Sequence, residues 1–252
     1  MKPVEKIKIF ILIPTFNEYE NIATLLKKIY EIAKNDSSVL FSIYIIDDSS
    51  PDGTAELVVN VKKELVLDNY SLNLLSRYKK EGLGKAYIWG FNYLKELDQK
   101  PDYVLQMDAD LSHDPKYIPS FVMAARVHKP YFIVGARYIF GGSIPSEWPV
   151  HRKFLSIFGN FYTRKMLGDE LTDYTGGFNM YSMELINAIN FDEIHSNGYG
   201  FLIDLKFTIL KHNKLLIQIP IAFSDRKRGK SKMPLNTVLD NFFLVFKLKF
   251  FK

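Results

Sequence analysis

Two aspartates one residue apart, Asp108 and Asp110 around Ala109, follow the apolar run Tyr103-Val104-Leu105-Gln106-Met107. An apolar run of this length reads as a buried strand, so both carboxylates leave its C-terminal end together. Like charges this close repel, and burying them unpaired would cost several kcal/mol or more. Mg²⁺ resolves the conflict, because it takes hard oxygen ligands from one or two carboxylates and completes its shell with substrate phosphates. The plain alternative is a pair of solvated turn aspartates, since Asp is common after strands.

Other chemically capable residues recur at the ends of apolar runs. Asp47-Asp48 closes Phe41–Ile46, and an acidic residue there can hydrogen-bond a base or ribose. Asp52 and Thr54 offer the competing role of helix capping. Gly82-Leu83-Gly84-Lys85 suits either a tight helix entry or a turn near phosphates; it completes neither a dinucleotide fingerprint nor a P-loop. Arg152 and Ser156 lie four apart on a predicted helix and share a face. Asp173-Tyr174-Thr175-Gly176-Gly177-Phe178 joins a charge, a hydroxyl and a glycine pair of the kind that permits close backbone approach. Arg226, Lys227, Arg228, Lys230 and Lys232 crowd one short run around Gly229 and read as a lid over an anionic ligand. No aromatic interleaving or nucleic-acid motif accompanies them, and no nucleic-acid partner is expected.

The elements that must position these residues follow from periodicity. Strands are expected at Ile7–Ile13 (stopped by Pro14), Phe41–Ile46, Leu72–Leu75, Tyr103–Met107 and Tyr131–Ala136. Helices are expected from Asn17 or Glu18, with Ile22, Leu25, Leu26 and Ile29 inward, from about Thr54 to Lys63, and after Gly82-Leu83-Gly84 to about Leu97. Further helices are expected at His151–Leu167, Met183–Ile189 and Gly200–Lys211, and an edge strand at Leu215–Phe223. Alternating strands and helices imply an α/β fold whose mainly parallel sheet is covered on both faces. Right-handed crossovers would then collect Pro14–Glu18, Asp47-Asp48, Arg77, Asp108 with Asp110, and Arg137 on one rim.

The bulk numbers agree. The chain has 252 residues, is 47% hydrophobic and carries a net charge of +5, enough for one large domain. It has no cysteine, which excludes disulfides and thiolate metal sites and suits a reducing compartment. No stretch approaches the roughly 18 apolar residues of a membrane span, and the start is no signal peptide. The tail Leu235–Lys252 sets Leu235, Val238, Leu239, Phe242, Phe243 and Phe246 at helical spacing. It suits a helix packed on the domain or lying in a membrane interface, with Lys247, Lys249 and Lys252 favouring the membrane. The expected division is 1–225 for the catalytic domain and 226–252 for the basic lid loop and amphipathic tail.

In order along residues 7–233, these motifs resemble a family 2 glycosyltransferase with the GT-A fold, the Rossmann-like fold of nucleotide-diphospho-sugar transferases. They are most similar to the polyprenol (dolichyl) phosphate mannose synthases. The resemblance rests on Pro14-Thr15-Phe16-Asn17-Glu18, Ile45–Thr54, Arg77 with Gly82–Ala86, Met107–Pro115, Gly135-Ala136-Arg137-Tyr138, Arg152-Lys153 with Ser156, Asp173–Phe178, and Asp225-Arg226 with Gly229–Lys232. It implies transfer of a hexose, mannose from GDP-mannose, to a polyprenyl or dolichyl phosphate with inversion. The alternatives are glucose from UDP-glucose and a non-catalytic nucleotide-sugar-binding subunit. It implies that Pro14, Phe16, Glu18, Ile46 and Asp48 hold the nucleotide, and that Asp108, Ala109 and Asp110 meet the sugar diphosphate. Asp108 and Asp110 would hold Mg²⁺ or Mn²⁺, with Ser112 at the position of a third ligand. Arg137, Arg152 and Ser156 would receive the acceptor phosphate, with Arg137 reaching the donor as well, and Arg226 and Lys232 would close over the donor. A peripheral position on the cytoplasmic side of a membrane follows, either directly or through a membrane subunit. The chain departs from the pattern at Phe16, where Tyr is usual, at Ser112, where many members have Gln, and at Asn179, where Arg is frequent.

Overall fold

The computed structural model describes residues 6–196, 198, 200–212, 214–225 and 235–252. Arg226, Gly229 and Lys232 of the expected lid lie outside the described residues, as do the side chains of Leu235, Val238 and Leu239.

A seven-stranded sheet runs in the order β3-β2-β1-β4-β6-β5-β7. Its strands are β1 (Ile7–Thr15), β2 (Val39–Asp47), β3 (Tyr70–Ser76), β4 (Tyr103–Gln106), β5 (Phe132–Ala136), β6 (Asn179–Ser182) and β7 (Leu216–Pro220). β1 to β4 are mutually parallel, β6 runs antiparallel between β4 and β5, and β7 pairs in parallel with β5. Two reversals bring β5 back to the direction of β4, so the C-terminal ends of β1 to β5 share one rim.

Strand alternation sorts the core into two layers. Ile9, Ile11 and Ile13 of β1 and Phe41, Ile43 and Ile45 of β2 face one layer. There they meet helices α1 (Tyr19–Asn35), α2 (Thr54–Glu64) and α4 (Ile118–His128). Phe10, Leu12, Tyr44 and Ile46 face the other. That layer is built by α3 (Leu83–Lys95), α6 (Met183–Ala188), α7 (Gly200–Leu210) and one side of α8 (Leu235–Phe251). Helix α5 (Val150–Leu167) lies beside α8 and is buried only through Asn160, Thr163 and Leu167. The expected inward residues of α1 are all fully buried.

Three features differ from the sequence reading. β1 does not stop at Pro14 but runs to Thr15, in register with Asp47 of β2. Alternation points the Pro14 nitrogen toward β4, whose ladder with β1 ends at Leu12 and Gln106, so no bond is lost there. Helix α4 was not foreseen. Nor was β6, a four-residue strand that follows a glycine turn and is recruited into the sheet centre by its neighbours. The Gly82–Lys85 turn serves packing: a Cβ on Gly84 would lie 2.8 Å from the Phe201 side chain, so glycine lets α3 approach α7.

Candidate active site

The first two loops on the rim are stitched together. Asn17 N–H donates to Ser50 Oγ, Glu18 N–H to Thr54 Oγ1 and Tyr19 N–H to Asp52, each at 3.0 Å. Asp52 also accepts from the Thr54 amide and hydroxyl, closing a turn just before α2, whose N-cap is Gly53. Within the Asp47-Asp48 pair, Asp47 is structural: it accepts from Thr15 Oγ1 at 2.9 Å and from the Ser50 amide and hydroxyl. Asp48 is ion-paired with Arg77 at 2.8 Å, and Arg77 also reaches Glu81 at 2.8 Å. Burial raises the Asp48 carboxyl above its ordinary value, with the Arg77 charge opposing that shift. Phe16 is half-buried at the same rim, with the Lys80 ammonium 4.1 Å above its ring. The Ile46 and Ala109 side chains belong to the core, so only their backbones face this rim.

Beyond β4 the chain makes a tight turn, with Leu111 in the left-handed region at φ 65°. Asp110 is buried and its Oδ1 accepts both the amide (3.0 Å) and the hydroxyl (2.6 Å) of Ser112. The Ser112 hydroxyl is thus directed at Asp110, whose carboxylate it orients. The Asp108 side chain keeps 28% exposure and lies 3.4 Å from the Tyr87 hydroxyl. Its backbone N–H donates to His113 Nδ1 at 2.9 Å. His113 is buried between Phe178 and Phe223, and burial lowers its proton affinity, in keeping with a neutral ring that accepts at Nδ1.

The basic half begins at the end of β5. Arg137 is 8% exposed and is gripped by Asp173: Nε donates to Oδ2 at 2.7 Å, Nη2 to Oδ1 at 2.8 Å and the backbone N–H to Oδ2 at 3.1 Å. Nη2 also reaches Thr175 Oγ1 at 2.8 Å. Burial pushes the Asp173 carboxyl upward, but the Arg137 guanidinium overrides this and holds it well below the usual carboxylate range. The next residue, Tyr138, shares a 2.6 Å hydrogen bond with Ser156, which ties α5 to β5. One turn earlier on α5, Arg152 stacks 3.8 Å over Trp148 and reaches Asp225 at 3.4 Å. Phe223 joins the two halves, since its ring lies 5.3 Å from the Arg137 guanidinium, 5.9 Å from Trp148 and 5.7 Å from His113.

The structure thus gathers Asp108, Asp110, Ser112, Arg137, Arg152 and Ser156 around one centre, and Pro14, Phe16, Glu18 and Asp48 along the adjoining rim. Residues that the sequence reading did not single out hold this centre together: Tyr87, His113, Trp148, Phe223 and Lys206, whose ammonium donates to the Asp173 and Gly176 carbonyls. Of these only His113 lies within a quoted motif, Met107–Pro115, because the rest depend on contacts across the fold.

Comparison with known proteins places the chain in a family. Residues 10–189 match the model of Glycosyl transferase family 2. The chain is 37% identical over 226 residues to an undecaprenyl-phosphate mannosyltransferase of Micrococcus luteus, covering 90% of this chain and 87% of that one. It is 32% identical over 236 residues to a polyprenol monophosphomannose synthase of Mycolicibacterium smegmatis, covering 93% and 84%. Among solved structures it shares the fold of glucosyl-3-phosphoglycerate synthase from Mycobacterium tuberculosis with Mn²⁺, UDP-glucose and phosphoglyceric acid (TM-score 0.64, 16% identity, 96% of this chain and 79% of that one). It also shares the fold of a Pyrobaculum calidifontis mannosyltransferase bound to GDP-mannose and Mn²⁺ (TM-score 0.59, 14% identity, 96% and 70%). By the family model and by relatives matched over most of their length, the chain belongs to glycosyl transferase family 2 and is a glycosyltransferase.

Proposed function

We propose that this glycosyltransferase moves mannose from GDP-mannose to a polyprenyl phosphate, forming the lipid-linked mannosyl phosphate with inversion. The observation that carries this reading is the facing of two unlike halves: Asp108 and Asp110 at the end of β4, and Arg137, Arg152 and Ser156 grouped through Phe223, Trp148 and Tyr138. The names of the two relatives at 37% and 32% identity support the lipid phosphate and the mannose.

The donor set fits a hard divalent cation. Asp108 is partly open, Asp110 is oriented by Ser112, and both project from one turn. Among the described residues no group of three acidic or histidine side chains is placed to hold a metal ion, and diphosphate oxygens would complete the shell. Asp108 and Asp110 would hold Mg²⁺ or Mn²⁺, which when bound offsets the charge gathering on the departing nucleoside diphosphate. Asp48 with Arg77, and Phe16, would hold the base and ribose, with Pro14, Glu18 and the backbones of Ile46 and Ala109 shaping that edge. Arg226 and Lys232 would reach the diphosphate from the basic segment.

The acceptor needs little activation. A phosphate monoester loses its second proton near pH 6, so its oxygen is already an anion at neutral pH. Arg137, Arg152 and Ser156 would hold that anion in line with the anomeric carbon and offset repulsion between two anionic substrates. The acceptor oxygen then bonds to the anomeric carbon as the bond to the diphosphate breaks.

The acceptor's chain requires a lipid surface, and we place the protein peripherally on the cytoplasmic side of a membrane. Among the described residues no helix is long and apolar enough to cross one. Phe154, Ile157, Phe158 and Phe161 of α5 are exposed on the face opposite Arg152 and Ser156. Phe243, Phe246 and Phe250 of α8 are exposed nearby, and Tyr162 stacks on Phe242 at 4.4 Å to join the two helices.

A panel of guanosine and uridine diphosphate sugars, offered with polyprenyl phosphate with and without Mn²⁺, tests the assignment. GDP-mannose should be the productive donor, Asp110→Ala should remove transfer while the protein stays folded, and a chelator should do the same to the wild type. Transfer from UDP-glucose alone would redirect the reading to glucose.

A further inference from the structure

Lys206 of α7 is a lysine without solvent exposure, and the mechanism above does not use it. Its Nζ donates to the carbonyl oxygens of Asp173 and Gly176, both at 2.8 Å. The same loop is held from its other side by the Asp173 carboxylate, which accepts the N–H groups of Thr175 (3.2 Å) and Gly176 (2.9 Å) as well as three donors of Arg137. The loop's amides therefore turn toward one charged side chain and two of its carbonyls toward another. Beyond it the chain is packed tightly on the acidic half: a Cβ on Gly177 would stand 3.2 Å from His113 and 3.7 Å from Asp108 Oδ1.

Burying an ammonium is unfavourable, and desolvation pulls the Lys206 proton affinity down to about 7. A methionine of similar length would fill the same space without that penalty, though it would leave the Asp173 carbonyl short of a donor. Gly176 O has a second donor in Asn179 Nδ2 at 3.1 Å, so the bond peculiar to Lys206 is the one at Asp173, the residue that aims Arg137.

We propose that Lys206 is a positioning residue for transfer: it fixes the Asp173–Gly177 loop from below and, through Asp173, sets Arg137 for the acceptor phosphate. This rests on the reading of Arg137 as an acceptor-site cation. Lys206 touches neither substrate. Its loss should therefore raise the acceptor KM more than the donor KM, a split that general loosening of the fold would not produce.

The test is steady-state kinetics on Lys206→Met and Lys206→Gln in the full chain, with polyprenyl phosphate and the nucleotide sugar varied separately, and amide exchange read at Thr175 and Gly176. Lys206→Met should raise the acceptor KM about tenfold, hold the donor KM within about twofold, and speed exchange at both amides. Lys206→Gln keeps a donor that can reach one carbonyl and should fall between Met and wild type. If the Met variant does not fold, the Gln variant carries the test: faster loop exchange with an unchanged acceptor KM overturns the proposal. Equal rises in both KM values, or unchanged values in the folded Met variant, also overturn it. Arg137→Lys in parallel separates the two ideas. A raised acceptor KM there with an unaffected Lys206→Met removes only the role of Lys206, whereas an unchanged acceptor KM in Arg137→Lys removes the acceptor assignment and with it the role of Lys206.

Discussion

Asp47 and Asp48 are chemically identical neighbours with different surroundings, and the difference separates a bracing group from the one proposed to bind the nucleotide. Asp47 is used up by Thr15 and Ser50 in bracing two loops, while Asp48 faces Arg77 at the rim. Asp173 shows the same dependence on surroundings. It is fully buried, and its ion pair with Arg137 is a buried pair of the kind that is costly to break from one side. Asp173→Ala should destabilise the protein by about 3–5 kcal/mol at neutral pH, measured by urea unfolding. The pH dependence follows from the carboxyl's folded-state value lying below its ordinary 3.8. The stabilisation is complete above the ordinary value and is lost as pH falls toward the lower, folded-state value. The gap between variant and wild type should therefore narrow below about pH 4. A gap that stays constant down to pH 2.5 would contradict this account.

At the scale of elements, α5 and α8 each carry two unlike faces. On α5, Arg152 and Ser156 turn toward the site, and Phe154, Phe158 and Phe161 turn away. On α8, Val245 and Leu248 enter the core, while Phe242, Phe243, Phe246 and Phe250 remain exposed in whole or part. The tail's helical spacing had suggested either a packed helix or an interfacial one, and this helix has a side for each. Replacing Phe243, Phe246 and Phe250 together with Ser should sharply reduce co-sedimentation with anionic lipid vesicles. Transfer to a short, water-soluble polyprenyl phosphate should persist, because none of the three contacts the charged centre. Vesicle binding equal to wild type would remove α8 from the proposed membrane face.

At the scale of the molecule, five parallel strand ends deliver groups from positions 14 to 137 to a single rim, and α5 brings Arg152 and Ser156 against it. A ligand bridging several of these loops should stabilise the whole domain, since it binds only the assembled rim. GDP with Mn²⁺ at about one hundred times its Kd should add about 2.7 kcal/mol, seen as a raised Tm. Asp110→Ala should lose most of that shift while its ligand-free Tm stays near that of the wild type. An equal ligand shift in the variant would take Asp110 out of the diphosphate site.

Much of this was legible in the residues themselves. Buried strands announce themselves by continuous apolar runs, and α1 by the spacing of Ile22, Leu25, Leu26 and Ile29, because local chain geometry sets those periods. The motif residues at strand ends marked the rim, and their order along the chain carried the family resemblance. What the sequence could not show were the partners. β6 is four residues beginning with Asn179, too short and too polar at its start to read as a strand, and it takes its place from β4 and β5 on either side. The sequence offers Arg137 as a phosphate ligand but does not show that Asp173, 36 residues away, orients it. Lys206 carries no mark in its predicted helix, and only the fold buries it against the Asp173 and Gly176 carbonyls. Local periodicity is written in neighbouring residues, but the pairing of charges and the burial of a lysine depend on contacts between distant segments, and these exist only once the sheet has brought the segments together.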